Sequence, residues 1–243
     1  MRLGLALTLA LLATPAAAAS RLVLWAWERP EDLRFAAPTE VAVQTGFIVL
    51  SGGRIDSRGR RFPLLAEPGQ VTTALVHVQI DHRRPLVWDA AHEAEAARAI
   101  LAYAQAPGVR RLQVDFEVRA SERPVLLGVL RAVRAGLPAG VELSMTALAS
   151  WCETEGWLDQ APVDEVVPML FRMGPGGARL RAKLAAGGDF ANPRCRKALA
   201  VSTDAPVLKA PAGRRVYLFS PRSWTAADFH AVQRRVVAWS PGP

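Results

Sequence analysis

The chain has 243 residues, with a hydrophobic share of 51% and a charged share of 21%. Those proportions suit a folded globular protein and exclude wholesale disorder. The formal net charge is +8, from 30 basic against 22 acidic residues. The excess is scattered as Arg pairs such as Arg60-Arg61, Arg110-Arg111 and Arg214-Arg215, so no basic arm or aromatic-interleaved patch marks a nucleic-acid binder.

All but three of the basic residues are Arg. Compositional bias of the source genome accounts for this; attraction to acidic glycans or to an anionic envelope surface is the alternative.

The N-terminus opens with Met1-Arg2, an apolar stretch from Leu3 to Ala13, a break at Pro15 and Ala17-Ala18-Ala19 before Ser20. This is the pattern of a signal peptide over residues 1–19, leaving residues 20–243 as one domain. An uncleaved anchor is the alternative, for which the apolar run is short. No later apolar run reaches the roughly 18 residues of a membrane span. The expectation is a periplasmic or secreted protein with no integral membrane segment after cleavage. Export implies an oxidising compartment, in which Cys152 and Cys195 can pair. A catalytic cysteine is the alternative, with no His near either one in sequence.

Eight short runs read as strands: Leu22–Trp27, Val41–Leu50, Ala74–Ile80, Arg111–Phe116, Val141–Thr146, Glu165–Phe171, Ala198–Thr203 and Val216–Phe219. Arg54–Leu65 reads as a basic loop or hairpin. Helical spacing covers Asp89–Ala104, then a stretch capped by Ser121 and running to Leu137, then Trp151–Gln160, Ala178–Ala186 and Thr225–Ala238. Strands alternating with helices predict an α/β fold, a (β/α)8 barrel of small size with a reduced first half. An open doubly wound sheet is the alternative, but Trp27-Glu28-Arg29-Pro30 stands where its Gly-rich fingerprint would be. Several strands alternate strictly. Val114 and Phe116 oppose Gln113, Asp115 and Glu117; Val76, Val78 and Ile80 oppose His77, Gln79 and Asp81. One face must meet helices, and the other must fill the lumen and its mouth.

Barrel active sites gather at the C-terminal ends of the strands. Asp115 and Glu117 stand there on the fourth run, Asp81 ends the third and Asp204 follows the seventh. Crowded carboxylates raise the pKa of at least one, supplying an acid for glycosidic cleavage while another stabilises the oxocarbenium-like transition state. Trp27, Met169, Phe171 and Trp224 lie at strand ends where sugar rings stack, and Arg172 is placed to bind a hydroxyl or carboxylate. Structural carboxylates and ordinary packing are the alternative for each. There is no G-x-S-x-G elbow, P-loop or H-E-x-x-H helix. The four His residues show no metal spacing, and no cofactor is expected.

The blocks "LVLWAWERPEDLRF", "LQVDFEVRASERPVLLGVLRAVRAGLP", "LSMTALASWC", "VDEVVPMLFRMG" and "VYLFSPRSW" resemble a bacterial family known as domain of unknown function 3142. The resemblance runs over nearly the whole mature chain. It implies an exported barrel related to glycoside hydrolases, with a bridge between Cys152 and Cys195. Members carry Asp-Phe-Asp where this chain has Asp115-Phe116-Glu117. A looser similarity is to chitinase-type barrels, whose fourth strand ends in Asp-x-Glu and whose sixth carries Met-x-aromatic, as Met169-Leu170-Phe171 does. That similarity implies Glu117 as the acid and Asp115 as the residue that orients a substrate acetamide. Gln113 stands where those enzymes have Asp, and Phe171 lacks their tyrosine hydroxyl.

The expected function is action on envelope or environmental polysaccharide, with Glu117 as general acid, Asp115 as orienting or charge-stabilising group and Asp204 as a second carboxylate. A non-catalytic glycan-binding or envelope-assembly protein on a degenerate barrel is the rival, and a structural partner in an envelope complex is a third reading.

Overall fold

The computed structural model describes residues 21–154, 156–205 and 213–237. The expected signal peptide lies outside the described residues. Eight parallel strands form a closed ring: β1 (Arg21–Ala26), β2 (Glu40–Ser51), β3 (Val71–Ile80), β4 (Arg111–Asp115), β5 (Glu142–Leu148), β6 (Glu165–Met169), β7 (Ala198–Ser202) and β8 (Arg215–Phe219). β1 pairs with β8 on one side, where Val23 meets Tyr217, and with β2 on the other, where Val23 meets Glu40. That double pairing leaves the ring no open edge, so the open-sheet alternative falls. The protein is an α/β barrel, and its eight strands are the eight runs read from the sequence with their ends moved by a few residues.

Helices follow the later strands. They are α1 (Ala90–Leu101), α2 (Arg123–Gly136), the single turn α3 (Trp151–Thr154), α4 (Gly177–Ala185) and α5 (Ala226–Val237). Asp89 caps α1 by accepting from the backbone N–H groups of Ala91 and His92 at 2.9 and 3.0 Å. The N-cap of α2 is Glu122, one residue beyond the expected Ser121; Pro124 fits the first turn, where its missing N–H leaves nothing unpaired. Leu126, Val129, Leu130 and Val133 turn inward from α2 onto the outer face of the sheet. The helix expected over Trp151–Gln160 is divided into α3 and a 3-10 turn, Gly156–Gln160.

The early part of the ring is built differently. Between β1 and β2 the only helical piece among the described residues is a 3-10 turn, Arg34–Ala36. Between β2 and β3 the basic segment forms a hairpin, its return strand Arg54–Gly59 antiparallel to the upper half of β2. β2 leaves its register with β3 between Gln44 and Gly46. There the ring of Tyr103 packs so closely that a Cβ on Gly46 would come within 2.5 Å of it. Arg60 fills the fork where β1 and β2 part, its guanidinium donating to the carbonyls of Ala26 and Trp27 at 3.2 and 2.7 Å and to that of Arg29.

Alternation along the strands yields two buried regions. Leu24, Val43, Val76, Val114, Leu143 and Leu199 belong to the larger core between sheet and helices. Val23, Trp25, Ala42, Leu75, Val167, Met169, Ala200 and Tyr217 form a separate cluster in the lumen. The lumen also holds a polar layer centred on Glu165, which is 4% exposed. Glu165 accepts from Ser144 Oγ at 2.9 Å and Tyr217 OH at 2.7 Å, and is paired with Arg215. Gln113 links this layer to Trp25, accepting from its Nε1 at 2.7 Å and donating to Ser144 at 3.0 Å. Burial, with Glu165 beside it, pushes the Tyr217 phenol far above its ordinary pKa, so it stays a neutral donor.

Cys152 and Cys195 are bonded, 43 residues apart in sequence. The bridge ties α3 to the turn Pro193–Arg196 that leads into β7.

This architecture sets three expected outcomes. Closing a loop of that length contributes on the order of 4 kcal/mol by loop entropy, so a Cys152→Ser/Cys195→Ser variant should unfold at a melting temperature roughly 10 °C lower, read by circular dichroism. Glu165→Ala takes the carboxylate partner from Arg215 and the acceptor from the buried Tyr217 hydroxyl, and should cost about 3–5 kcal/mol in urea unfolding. Asp56→Asn, which removes only the exposed Arg54 pair, should stay within about 0.5 kcal/mol.

Candidate functional site

A cavity of about 690 Å³ opens above the lumen layer. Its walls come from the C-terminal ends of the strands and the segments just beyond them: Trp27, Glu28 and Arg29 after β1, Gln44 and Phe47 on β2, His77 on β3, Asp115 and Glu117 on and after β4. Met169, Phe171 and Arg172 come from β6, Asp204 and Ala205 from β7, and Phe219 from β8. Asp115, Glu117, Asp204, Trp27, Met169, Phe171 and Arg172 were all expected at one rim from the sequence, and all of them line this cavity.

Asp81 and Trp224 do not. Asp81 accepts from Ser51 Oγ at 3.1 Å and from Arg83 Nε at 2.8 Å, and Arg83 with these hydrogen bonds holds it well below the usual carboxylate range. Trp224 is buried in the outer core, its Nε1 donating to the Trp25 carbonyl at 2.9 Å and its backbone N–H to Glu31 at 2.8 Å. Both lie past a strand end, where the direction of the loop rather than the strand's alternation decides the outcome.

Asp115 is the most enclosed acid at the mouth, 4% exposed. Its Oδ1 accepts from Thr146 Oγ1 at 2.6 Å, and its Oδ2 lies 2.6 Å from His77 Nδ1. β3 and β4 place His77 and Asp115 in direct register. The imidazole stacks on Phe47 at 5.2 Å between centroids and meets the edge of Trp27 at 6.0 Å. Burial alone would lower the His77 pKa, but the hydrogen bond with Asp115 and its charge outweigh it, and the pKa is raised. Sequence reading assigned His77 to the inward face without a role; its partner is visible only once strand register is known.

Glu117 stands two residues above Asp115. Its side chain is 38% exposed and its Oε1 lies 3.2 Å from Arg172 Nε. Loss of hydration against the cavity wall raises its pKa, Arg172 opposes that, and the neighbouring Asp115 charge raises it further. Asp204 accepts from Ser202 Oγ. Glu28 is paired with Arg58, whose hydrogen bond lowers its pKa, and Arg58 in turn lies over the Phe47 ring at 4.6 Å. Phe171 and Phe219 stack at 5.0 Å, with Trp27 edge-on to Phe219 at 5.9 Å. Among the described residues, no group of three or more His, Cys, Asp or Glu is arranged to hold a metal ion.

The arrangement can do three things chemically. It can donate a proton from Glu117 in a partly dehydrated setting. It can hold a negative charge beneath a bound molecule through Asp115, and it can offer flat apolar faces to a ring. The chain matches no model of a known protein family, no curated protein and no solved structure.

The His77–Asp115 pair has a measurable signature. Its contribution to stability is full below the ordinary imidazole value of 6.5 and is lost as pH rises through the raised value. In Asp115→Asn the supporting charge is gone while burial remains, so the His77 pKa should fall. NMR titration of the imidazole protons checks this, and an unmoved value would refute the pairing.

Proposed function

We propose that the protein is an exported glycoside-hydrolase-like barrel that acts on polysaccharide at the mouth cavity, with Glu117 as general acid. The observation that carries this reading is the pairing of two unlike carboxylates on one strand end. Glu117 is partly dehydrated and raised in pKa, and Asp115 is fenced by Thr146 and His77. A carboxyl raised in pKa suits the proton donor, and one held between a hydroxyl and an imidazole suits the group beneath a developing positive charge. Glu117 would protonate the leaving oxygen, and Asp115 would stabilise the positive charge that develops on the sugar ring. Trp27, Phe171 and Phe219 supply the apolar faces against which a pyranose packs, and Asp204 supplies a second carboxylate facing the same space.

The closed ring is consistent with a TIM-type (β/α)8 barrel whose first half lacks full helices, and the site occupies the end where such barrels place their chemistry. Resemblance to domain of unknown function 3142 and, more loosely, to chitinase-type barrels points the same way. Export and a periplasmic or secreted location are supported by the disulfide. No helix among the described residues is long and apolar enough to cross a membrane.

One observation favours binding without turnover: Arg172 neutralises Glu117 across 3.2 Å. In that reading the pair is a fixed part of a glycan-binding surface. The Arg172 side chain is 61% exposed, and a substrate hydroxyl could draw it away, freeing Glu117 to carry a proton.

The test is release of reducing ends from chitin, peptidoglycan and exopolysaccharide fragments. Turnover should be abolished in Glu117→Gln and reduced about 100-fold or more in Asp115→Asn, the scale of a lost general acid or charge-stabilising group. Activity requires the Glu117 proton, so kcat/KM should fall as pH rises through its raised pKa. Arg172 lowers that pKa, so Arg172→Gln should move the alkaline limb to higher pH, and Asp115→Asn should move any residual limb lower. Turnover surviving in both carboxylate variants would end the assignment, whereas retention on immobilised glycan with no products would establish binding alone.

A further inference from the structure

The chain as a whole is basic, with 30 Lys and Arg against 22 Asp and Glu. The cavity reverses that balance: its walls carry Glu28, Asp115, Glu117 and Asp204 against Arg29 and Arg172. Most of these charges are already matched. Arg58 neutralises Glu28, His77 lies 2.6 Å from Asp115, and Arg172 lies 3.2 Å from Glu117. Arg29 is turned to structural use, with Nε on Glu31 at 3.0 Å and its terminal nitrogens on the carbonyls of Ser220 and Pro221. Asp204 is left with the Ser202 hydroxyl and, among the described residues, no cationic side chain.

We propose that the cavity takes a sugar bearing a free primary ammonium, the amino-sugar unit of an N-deacetylated polysaccharide, with Asp204 as the carboxylate that receives the ammonium group. The inference rests on the carbohydrate reading above and narrows it. Ser202 and Phe219 are register partners on β7 and β8, so Asp204 rises from the strand position beside an aromatic wall. An ammonium offers three donors and a full charge, and a carboxylate with only one hydroxyl donor retains lone pairs for it. The stacked Phe171 and Phe219 rings add faces that attract a cation. A uronate or sulfated sugar would instead bring a negative charge among four carboxylates, and among the described residues both lining arginines already have an acidic partner. The basic exterior therefore says little about the charge of what enters the mouth.

The experiment is isothermal titration of the Glu117→Gln protein in mildly acidic buffer. Four probes are compared at equal length: glucosamine oligomers, N-acetylglucosamine oligomers, galacturonate oligomers and a lysine peptide. Glucosamine oligomers should bind about tenfold tighter than the N-acetylated series, the scale of one charge-assisted hydrogen bond. The advantage should shrink as salt rises. Asp204→Asn should erase the preference, and Asp204→Glu should restore part of it. Equal affinity for the two series, a preference that survives Asp204→Asn, or a lysine peptide that binds as tightly as the sugar would overturn the inference while leaving glycan recognition standing. If none of the sugars binds, the carbohydrate reading fails and this assignment fails with it.

Discussion

A closed ring of parallel strands imposes one constraint on everything inside it. Side chains that point inward have no route to water except through the two ends, so each polar group in the middle must find its partner on another strand. Glu165 meets this demand from β6 by gathering Ser144 of β5, Tyr217 and Arg215 of β8, and, at 3.6 Å, Arg111 of β4. A lone carboxylate in such a place would be strongly disfavoured; surrounded by donors it instead fixes the relative positions of several strands. The floor of the cavity is therefore set by this polar layer and by the rings of Trp25 and Tyr217, tilted against each other at 5.2 Å between centroids.

The acids above it differ in how many partners they have. Asp115 has both oxygens occupied, Glu117 has one partner that reaches it from an exposed arginine, and Asp204 has a single hydroxyl. The acids with fewer partners keep more capacity to engage an incoming molecule. The same rigid ladder serves both levels, because His77 and Asp115 are held in register by the β3–β4 pairing and Thr146 is held by β5. A site built this way places its acids by strand geometry and leaves adjustable contacts to the loops.

The ring was legible in the sequence because strand-like runs alternate with helical stretches, and the in-and-out alternation within the runs told which side chains face the lumen. Gln113, Asp115 and Glu117 against Val114 and Phe116 can be read from a list of letters. Register cannot. Nothing in the local sequence around His77 tells that Asp115, 38 positions on, is its neighbour, so the residue that faces Asp115 went unassigned. Loop direction is equally hidden: Asp81 and Trp224 sit one or a few residues past strands that do reach the mouth, yet one turns to Ser51 and Arg83 and the other tucks beneath the Trp25 carbonyl. The helix expected over Trp151–Gln160 contained Gly156, and from that residue on the chain takes the 3-10 form, in keeping with the weak α-helical preference of glycine.

The fork between β1 and β2 sets the character of one wall. Above it, β2 is backed by the hairpin strand Arg54–Gly59 rather than by β1, and Arg60 seals the carbonyls that the parting strands leave behind. The return strand joins the ring through β2, and the Arg58–Glu28 pair and the Arg60 guanidinium tie it to the segment that follows β1. The return strand lies outside the parallel ladder, so a change in its length reshapes this side of the rim without breaking the β1–β8 and β1–β2 pairings that close the ring.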